Sequence, residues 1–358
     1  MEIENIRKKI DKIDYELLKI LHKRINLVKK ILEFKKNDNL NIYQPDREKE
    51  IIKRILKLNR NIFPLQSLEI IYKEIFSASR KVQAPLKIGY LGPEATFSHQ
   101  AAIKTFGSES VYIPFTTIKD VFNEVETEYI DLGIVPIENS SEGIIGPTLD
   151  LLFEYNLNII DEVYIEVIHN LLSKESDIKK IKVLYVHPQA YGQCRTFIEN
   201  NFKNIKIIET TSTAESARLA SKKRKSAAIA SKIASELYKL NILAEDIQDT
   251  KDNYTRFLVI SKKALNFFRK GVNYKTSIIC GIKDRPGALF NLIKPFNDYK
   301  INMTKIESHP TKRKPWEYLF FIDFEGDISN KKIIKALKVV EKNSTFLKIL
   351  GSYPSASL

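Results

Sequence analysis

The sequence predicts a multidomain chain: an all-α three-helix domain over residues 1–84, an α/β domain over 85–264, and a ferredoxin-like βαββαβ domain over 272–358. Three observations carry this. All 12 glycines lie beyond residue 88, so the first block lacks the residue that tight turns favour, and its apolar residues recur at helical spacing. From Lys87 onward, short apolar runs alternate with capped helical patterns, as a sheet covered by helices requires. The last block reads strand, helix, strand, strand, helix, strand.

In the first block Ile6, Ile10, Ile13, Leu17, Ile20, Leu27, Ile31 and Phe34 recur three and four apart, interrupted at Arg24. Residues 37–41 break the pattern. Pro45 suits the first turn of a second helix, with Arg47, Ile51, Ile55 and Leu58 on one stripe. Pro64 opens a third, with Leu68, Ile71, Ile75, Ser79 and Val82 on one face and Tyr72, Phe76 and Gln83 beside it. In the middle block residues 87–91 read as a strand, Gly92-Pro93 as a turn, and the Thr96/Ser98 region as a helix cap. Residues 132–137, 183–186, 227–230 and 255–260 read as further strands. Helices are expected from Pro147 and over 193–198, and Ser212 with Glu215 reads as a capping box. In the last block strands are expected at 277–282, 301–307, 318–324 and 346–352, with helices from Ala288 and over 331–342.

Composition excludes several classes. Hydrophobic residues at 43% and charged residues at 28% are incompatible with wholesale disorder. No apolar run approaches the ~18 residues of a membrane span, and Met1-Glu2-Ile3-Glu4 lacks a signal-peptide pattern. Two cysteines, Cys194 and Cys280, make neither a disulfide framework nor a zinc site, so a cytoplasmic location is the expectation. The net charge of +14 invites nucleic acid, but a Lys-rich surface explains it as well, and a small anionic ligand is the better fit. There is no Gly-rich nucleotide loop, no HExxH and no Ser/His/Asp pattern, so no metal or cofactor is expected.

Several charges of the helical block fall on its apolar stripes. Arg24 replaces a core residue, Lys35 follows three turns later on the same face, and Arg47 continues the second stripe beside Glu48. Buried cations need partners, so an anion between the helices is implied; an internal pair such as Arg24 with Glu48 would absorb only one of them. With Arg7, Asp14, Gln44, Ser79 and Gln83, these residues resemble the all-helical bacterial chorismate mutase domain. The resemblance implies that Arg7, Arg24 and Arg47 hold the two substrate carboxylates. Lys35 and Gln83 would donate to the ether oxygen, Glu48 and Gln44 would contact the ring hydroxyl, and Ser79 a carboxylate. Position 44 is often Asp in the family and is Gln here. The reaction is pericyclic, so orientation and charge stabilisation suffice. Arg7 and Lys35 lie 28 residues apart, roughly 42 Å on one straight helix, so both can grip one small molecule only across two subunits.

The middle block carries five ordered segments: Gly92-Pro93-x-x-Thr96-Phe97-Ser98; Pro136-Ile137-Glu138-Asn139-Ser140; Gly143 to Thr148-Leu149-Asp150; His187-Pro188-Gln189 with Gln193-Cys194; and Asn253-Tyr254-Thr255-Arg256-Phe257. Together they resemble prephenate dehydratase, which implies two α/β lobes around a cleft, like periplasmic binding proteins. Position 95 is usually Gly in that family and is Ala here. The resemblance makes Thr255 the key catalytic residue, as an oriented donor at the departing ring hydroxyl. Thr96, Ser98, Glu138, Asn139, Ser140, Gln193, Arg256 and Phe257 are expected around prephenate, with Arg256 either anchoring a carboxylate or structural.

Asp284-Arg285-Pro286-Gly287-Ala288-Leu289, residues 305–310 and residues 315–321 resemble an amino-acid-sensing ACT domain of the kind attached to prephenate dehydratases. Phenylalanine is then expected between two subunits, at Gly287, Ala288, Leu289, Glu307 and Ser308. His309 stands where Arg is usual.

The whole resembles a bifunctional chorismate mutase/prephenate dehydratase with a C-terminal ACT domain. It would turn chorismate into prephenate and prephenate into phenylpyruvate, under phenylalanine feedback, as a homodimer or dimer of dimers. Two alternatives remain open at this stage: a monofunctional prephenate or arogenate dehydratase whose helices only dimerise, and a ligand-binding regulator on the same lobes.

Overall fold

The computed structural model describes residues 2–37, 42–265, 267–283, 285–310 and 318–356, with side chains for all of these except 33–37. Lys35 therefore lies outside the described side chains, as do Asp284 and residues 315–317 of the sensor motifs.

The helical block is α1 (Glu2–Asn37), α2 (Pro45–Leu58) and α3 (Leu65–Gln83). Pro45 takes the first turn of α2, and α3 begins directly after Pro64. The apolar stripe of α1 is not a core within one chain: Ile6, Ile10, Ile13, Leu17, Ile20, Leu27 and Ile31 are each about half exposed or more.

The first lobe of the middle block holds β1 (Lys87–Leu91), α4 (Phe97–Phe106), β2 (Val111–Phe115), α5 (Ile118–Glu126), β3 (Leu132–Asn139), β4 (Gly143–Ile144), α6 (Gly146–Glu154) and β5 (Asn158–Glu166). The second holds β6 (Asn170–Ser173), β7 (Val183–Val186), α7 (Pro188–Gln193), α8 (Arg195–Asn201), β8 (Lys206–Glu209), α9 (Thr213–Ala220), β9 (Ser226–Ala230), α10 (Lys232–Tyr238) and β10 (Asn241–Ala244). The chain then returns to the first lobe as β11 (Tyr254–Ser261). The first sheet runs β2-β1-β3-β11-β5, with β4 on β3, and the second runs β10-β6-β9-β7-β8. Two crossings, 167–169 and 245–253, join the lobes.

The last block holds β12 (Tyr274–Gly281), α11 (Ala288–Asp298), β13 (Met303–Pro310), β14 (Tyr318–Glu325), α12 (Lys331–Asn343) and β15 (Phe346–Pro354), with sheet order β13-β14-β12-β15. One face of this sheet packs its helices around Ile278, Leu292, Phe296 and Phe324. The other face shares a core with the first lobe: Ile279, Leu319, Phe321, Leu350 and Tyr353 pack with Val121, Ile137, Leu149 and Ile260. The approach is close enough that a Cβ at Gly351 would sit 2.2 Å from the Ile159 carbonyl oxygen. Tyr43 likewise joins the helical block to the first-lobe core around Ile88 and Phe106.

Two expectations change in detail. The helix over 193–198 breaks at Cys194 into α7 and α8. Ser212 accepts from the Glu215 amide, but Arg218 holds the Glu215 carboxylate; the complete capping box is Thr117 with Asp120.

Candidate active sites

Alternation along β3 and β11 decides what reaches the cleft between the lobes. The two strands are antiparallel neighbours, with Thr255 opposite Asn139 and Arg256 opposite Glu138. Successive side chains of a strand point to opposite faces. The Asn139/Thr255 rung faces a cavity of about 400 Å³, also lined by Thr96, Ser98, Phe257, Gln193, His169 and Glu142. The Glu138/Arg256 rung faces the last block.

Asn139 is buried, and every polar atom of its amide is used. Its Oδ1 accepts from the Ser141 and Glu142 amides at 3.0 and 3.1 Å, which fixes the orientation of the group. Its Nδ2 donates to Asn253 Oδ1 at 2.8 Å and to Thr255 Oγ1 at 3.0 Å. Thr255 thus receives a hydrogen bond on its oxygen and keeps its own hydrogen to give. Across the cavity Gln193 Oε1 lies 2.8 Å from His169 Nε2, and Gln193 Nε2 donates to Glu142 at 3.4 Å. Burial lowers the His169 pKa, with Gln193 working against it, so the ring is neutral near pH 7; its Nδ1 is buried without a partner among the described residues. Sequence reasoning missed His169 and Glu142, which belong to no quoted segment. His169 sits on a lobe crossing, and that placement is the signal that would have found it.

Thr96 caps α4 and donates to the Leu91 and Pro93 carbonyls at 3.1 and 3.0 Å. Ala95, just before it, is buried at φ +67°, a conformation that favours glycine and costs a side-chain-bearing residue about 1 kcal/mol.

Three expected prephenate contacts lie elsewhere. Ser140 closes the turn instead, accepting from the Tyr254 amide at 2.9 Å. Glu138 is held by Lys305 Nζ of β13 at 2.6 Å. Arg256 is 3% exposed and donates to Glu162 at 2.8 Å, to Asp323 at 2.6 Å and to the Tyr353 hydroxyl at 3.0 Å. Burial opposes its charge, but Tyr353, Asp323 and Glu162 outweigh this and raise its pKa. Its guanidinium is consumed by the domain interface, because odd and even positions of β11 serve different faces.

In the helical block Arg24 donates to Ser79 and lies over the Phe76 ring, 5.6 Å from its centroid. Burial lowers the Arg24 pKa, against Tyr72 and Glu48. Gln83 donates to the Ser79 carbonyl at 3.2 Å, and its own Oε1 is buried without a partner among the described residues. Glu48 pairs with Arg80 rather than Arg24, and Arg80 also donates to the Phe106 carbonyl at 2.6 Å. Arg47 meets Glu50 at 2.8 Å, and Gln44 stands at the N-cap of α2 without a capping bond. The structure thus brings Arg24, Glu48, Ser79 and Gln83 to one end of the helices. Arg7 is exposed beside Glu4 at 3.7 Å, 17 residues or roughly 25 Å up α1 from Arg24.

In the last block Gly287, Ala288 and Leu289 line a cavity of about 290 Å³ with Arg285, Tyr318 and Phe320. Gly287 precedes α11 at φ +77°, in the left-handed region. Glu307 and Ser308 lie on β13 outside this cavity, with Ser308 opposite Phe320. His309 meets Asp150 of α6 at 2.8 Å.

Family models match in the same order as these three bodies: chorismate mutase type II over residues 6–84, prephenate dehydratase over 88–265, and ACT domain over 276–342. A bifunctional chorismate mutase/prephenate dehydratase from Aquifex aeolicus is 45% identical, over 100% of this chain and 99% of its own length. One from Neisseria gonorrhoeae is 39% identical over 98% and 97%. The crystal structure of prephenate dehydratase from Arthrobacter aurescens, in complex with L-Phe, is 30% identical with a TM-score of 0.70, covering 76% of this chain and 90% of that one. Full-length similarity of this order, across all three bodies and in the same order, makes the chain a member of the bifunctional chorismate mutase/prephenate dehydratase family, with both activities and a C-terminal ACT domain.

Proposed function

We propose that the chain takes chorismate to prephenate at a helical site completed by a second copy, and prephenate to phenylpyruvate in the interlobe cleft, under feedback inhibition by L-phenylalanine. The observation that carries the dehydratase reading is the Asn139–Thr255 pair: a donor on the threonine oxygen leaves its hydroxyl hydrogen to point into the cleft. When the ring carboxylate leaves as carbon dioxide, its bonding electrons aromatise the ring and expel the hydroxyl, which departs as water with a proton. Thr255 would hydrogen-bond to that oxygen as charge develops on it, an effect that grows in a water-poor cleft. Neutral His169 and Gln193 form the opposite wall.

For the mutase, partly desolvated Arg24, which donates to Ser79, marks one half of a site for a dianion, with Gln83 one turn beyond Ser79 on α3. The exposed stripe of α1 supports an intertwined dimer, in which Arg7 of one copy reaches Arg24, Lys35 and Gln83 of the other. For the sensor, the glycine-lined cavity at the start of α11 would take one side of phenylalanine, with Glu307 and Ser308 contributed across a subunit boundary. Both cysteines are unpaired buried thiols that burial pushes up to about 12, which suits a reducing cytoplasm. No described helix is long and apolar enough to cross a membrane.

The test is purified full-length protein with chorismate as the sole substrate. Phenylpyruvate should form. Prephenate accumulating would sink the dehydratase reading, and untouched chorismate the mutase reading. A dehydratase rate unchanged at saturating phenylalanine would remove the feedback claim.

A further inference from the structure

The wall of the cleft across from Thr255 is anchored on the lobe crossings. His169 ends the first crossing, and the second holds its backbone from both sides. The His169 amide donates to Gln248 Oε1 at 3.0 Å, and its carbonyl accepts from the Ile247 amide at 2.9 Å. Gln193, the last residue of α7, is tied to the same crossing, its carbonyl accepting from the Asp249 amide at 2.7 Å. Phe97 of α4 meets the imidazole edge to face from the first lobe, with centroids 5.7 Å apart. His169 is left 2% exposed, with Nε2 at 2.8 Å from Gln193 Oε1.

We propose that His169 is a positioning residue for dehydration: it fixes the Gln193 side-chain amide so that one N–H is turned to the carboxylate end of prephenate. The inference rests on the interlobe cleft being the dehydratase site with Thr255 at the departing hydroxyl, as proposed above. A glutamine amide can sit in either of two flips, and its neighbours decide which. A carboxylate only accepts, so Glu142, at 3.4 Å, takes the Nε2 end of Gln193. Oε1 then faces His169, and the imidazole hydrogen belongs on Nε2. That leaves a bare lone pair on Nδ1, the ring atom that is buried without a partner among the described residues. The buried orphan is thus an acceptor and not a donor. The contact with exposed Glu142 is long, so the shorter bond from buried His169 is the firmer hold on the amide. One Nε2 hydrogen goes to Glu142 and the second is left for a ligand. On the prephenate ring the hydroxyl and the carboxylates are attached at opposite ends, so with Thr255 at the hydroxyl the facing wall meets the carboxylates. Among the described residues that line the cavity there is no Lys or Arg, so neutral donors such as this N–H must hold the anion. Without His169 the amide is free to turn its oxygen toward the substrate, acceptor against carboxylate.

The experiment uses the full-length enzyme and reads dehydratase kcat and KM on prephenate, with mutase activity on chorismate in the same sample as the control for folding. His169→Phe keeps a flat ring and removes the donor. It is expected to raise KM roughly tenfold or more, the loss typical of one hydrogen bond to a charged group, with kcat within about threefold and mutase activity unchanged. His169→Gln carries an N–H to about the reach of Nε2 and should restore most of the affinity. Gln193→Ala should give the same loss as His169→Phe, and the double variant should be no worse than either single one, because one residue acts through the other. A KM unchanged in His169→Phe, or losses that multiply in the double variant, overturns the inference. Nitrogen-15 NMR of histidine-labelled parent enzyme tests it without relying on the folding of His169→Phe. The His169 signals, identified by their absence from His169→Gln, should show a neutral ring protonated on Nε2 at pH 7, and a ring protonated on Nδ1 overturns the assignment. Thr255→Val separates the two layers. If Thr255→Val and Gln193→Ala both impair dehydration while His169→Phe does not, only the positioning role falls. If Thr255→Val and Gln193→Ala both keep full activity, the reading of the cleft itself has failed.

Discussion

The Lys49 ammonium lies 2.7 Å from the Asp161 carboxylate, tying the second mutase helix to strand β5 of the dehydratase. Tyr43 donates to the same carboxylate at 2.5 Å. Lys49 also donates to the Pro354 carbonyl at the end of the last ACT strand, at 2.9 Å. The next residue, Glu162, takes Arg256 of the dehydratase, Lys275 of the ACT sheet and the Ala356 amide. Two adjacent carboxylates on one strand therefore join all three bodies.

Removing the first of them strands a buried phenol and a cation. Asp161→Ala should cost about 2–3 kcal/mol of stability. Thermal inactivation followed by both activities checks this, and both should be lost at lower temperature than in the parent. A midpoint unchanged for the mutase would show that Asp161 does not tie the helices down.

The direction of the Thr255 hydroxyl can be reversed without changing its surroundings in size. Asn139→Asp keeps an acceptor for the Ser141 and Glu142 amides but replaces the donor to Thr255 with a second acceptor. The hydroxyl would then donate to the introduced carboxylate rather than into the cleft. Phenylpyruvate formation should fall by roughly 10² to 10³, the loss typical of one removed transition-state donor, with mutase activity intact. Full dehydratase activity in this variant would refute the donor assignment.

Sharing of the mutase site between copies has a mixing test. Arg7→Ala and Lys35→Ala chains should each lack mutase activity. Co-folded in equal amounts, they should recover about a quarter of the parental activity, because half the dimers are mixed and each holds one intact site. No recovery would place Arg7 and Lys35 outside a common site.

Acid should weaken the ACT–dehydratase contact. Burial works to raise the Glu162 pKa, but Arg256 and Lys275 outweigh it and hold it below the usual carboxylate value. The unfolded chain, with this group near about 4.3, then binds the proton more readily than the folded one. The stabilisation is complete above that value and disappears as pH falls through the lower folded one. Glu162→Gln should be less stable at neutral pH and show a flatter acid limb by circular dichroism. Superimposable acid limbs would exclude Glu162 as the titrating group.

What the sequence made legible was the type and order of elements, and those site residues whose motif neighbours face the same way. Thr255, Asn139, Gln193 and Thr96 fall around one cleft, as the resemblance to prephenate dehydratase implied. Glu138 and Arg256 did not, because adjacent positions in a strand belong to opposite faces, and nothing local says which face meets the ligand. Asp161 and Glu162, inside the apolar run of β5, give no hint of purpose until Lys49, Tyr43, Arg256 and Lys275 arrive from positions about a hundred residues away. The stripe of α1 was legible as a buried face, but among the described residues nothing buries it.

The joint between the dehydratase and the ACT sheet also limits how the chain can be divided. Cutting after residue 264 would leave Arg256 and Glu162 without Asp323, Lys275 and Tyr353, and would open the apolar surface that Phe321 and Leu350 cover. The severed dehydratase would carry an ion pair shaped for a neighbour it no longer has, beside a greasy flank facing water. Domain shuffling is therefore restricted: a sensor of another specificity can replace this one only if it brings an acid at position 323 and a strand with glycine where it lies on Ile159.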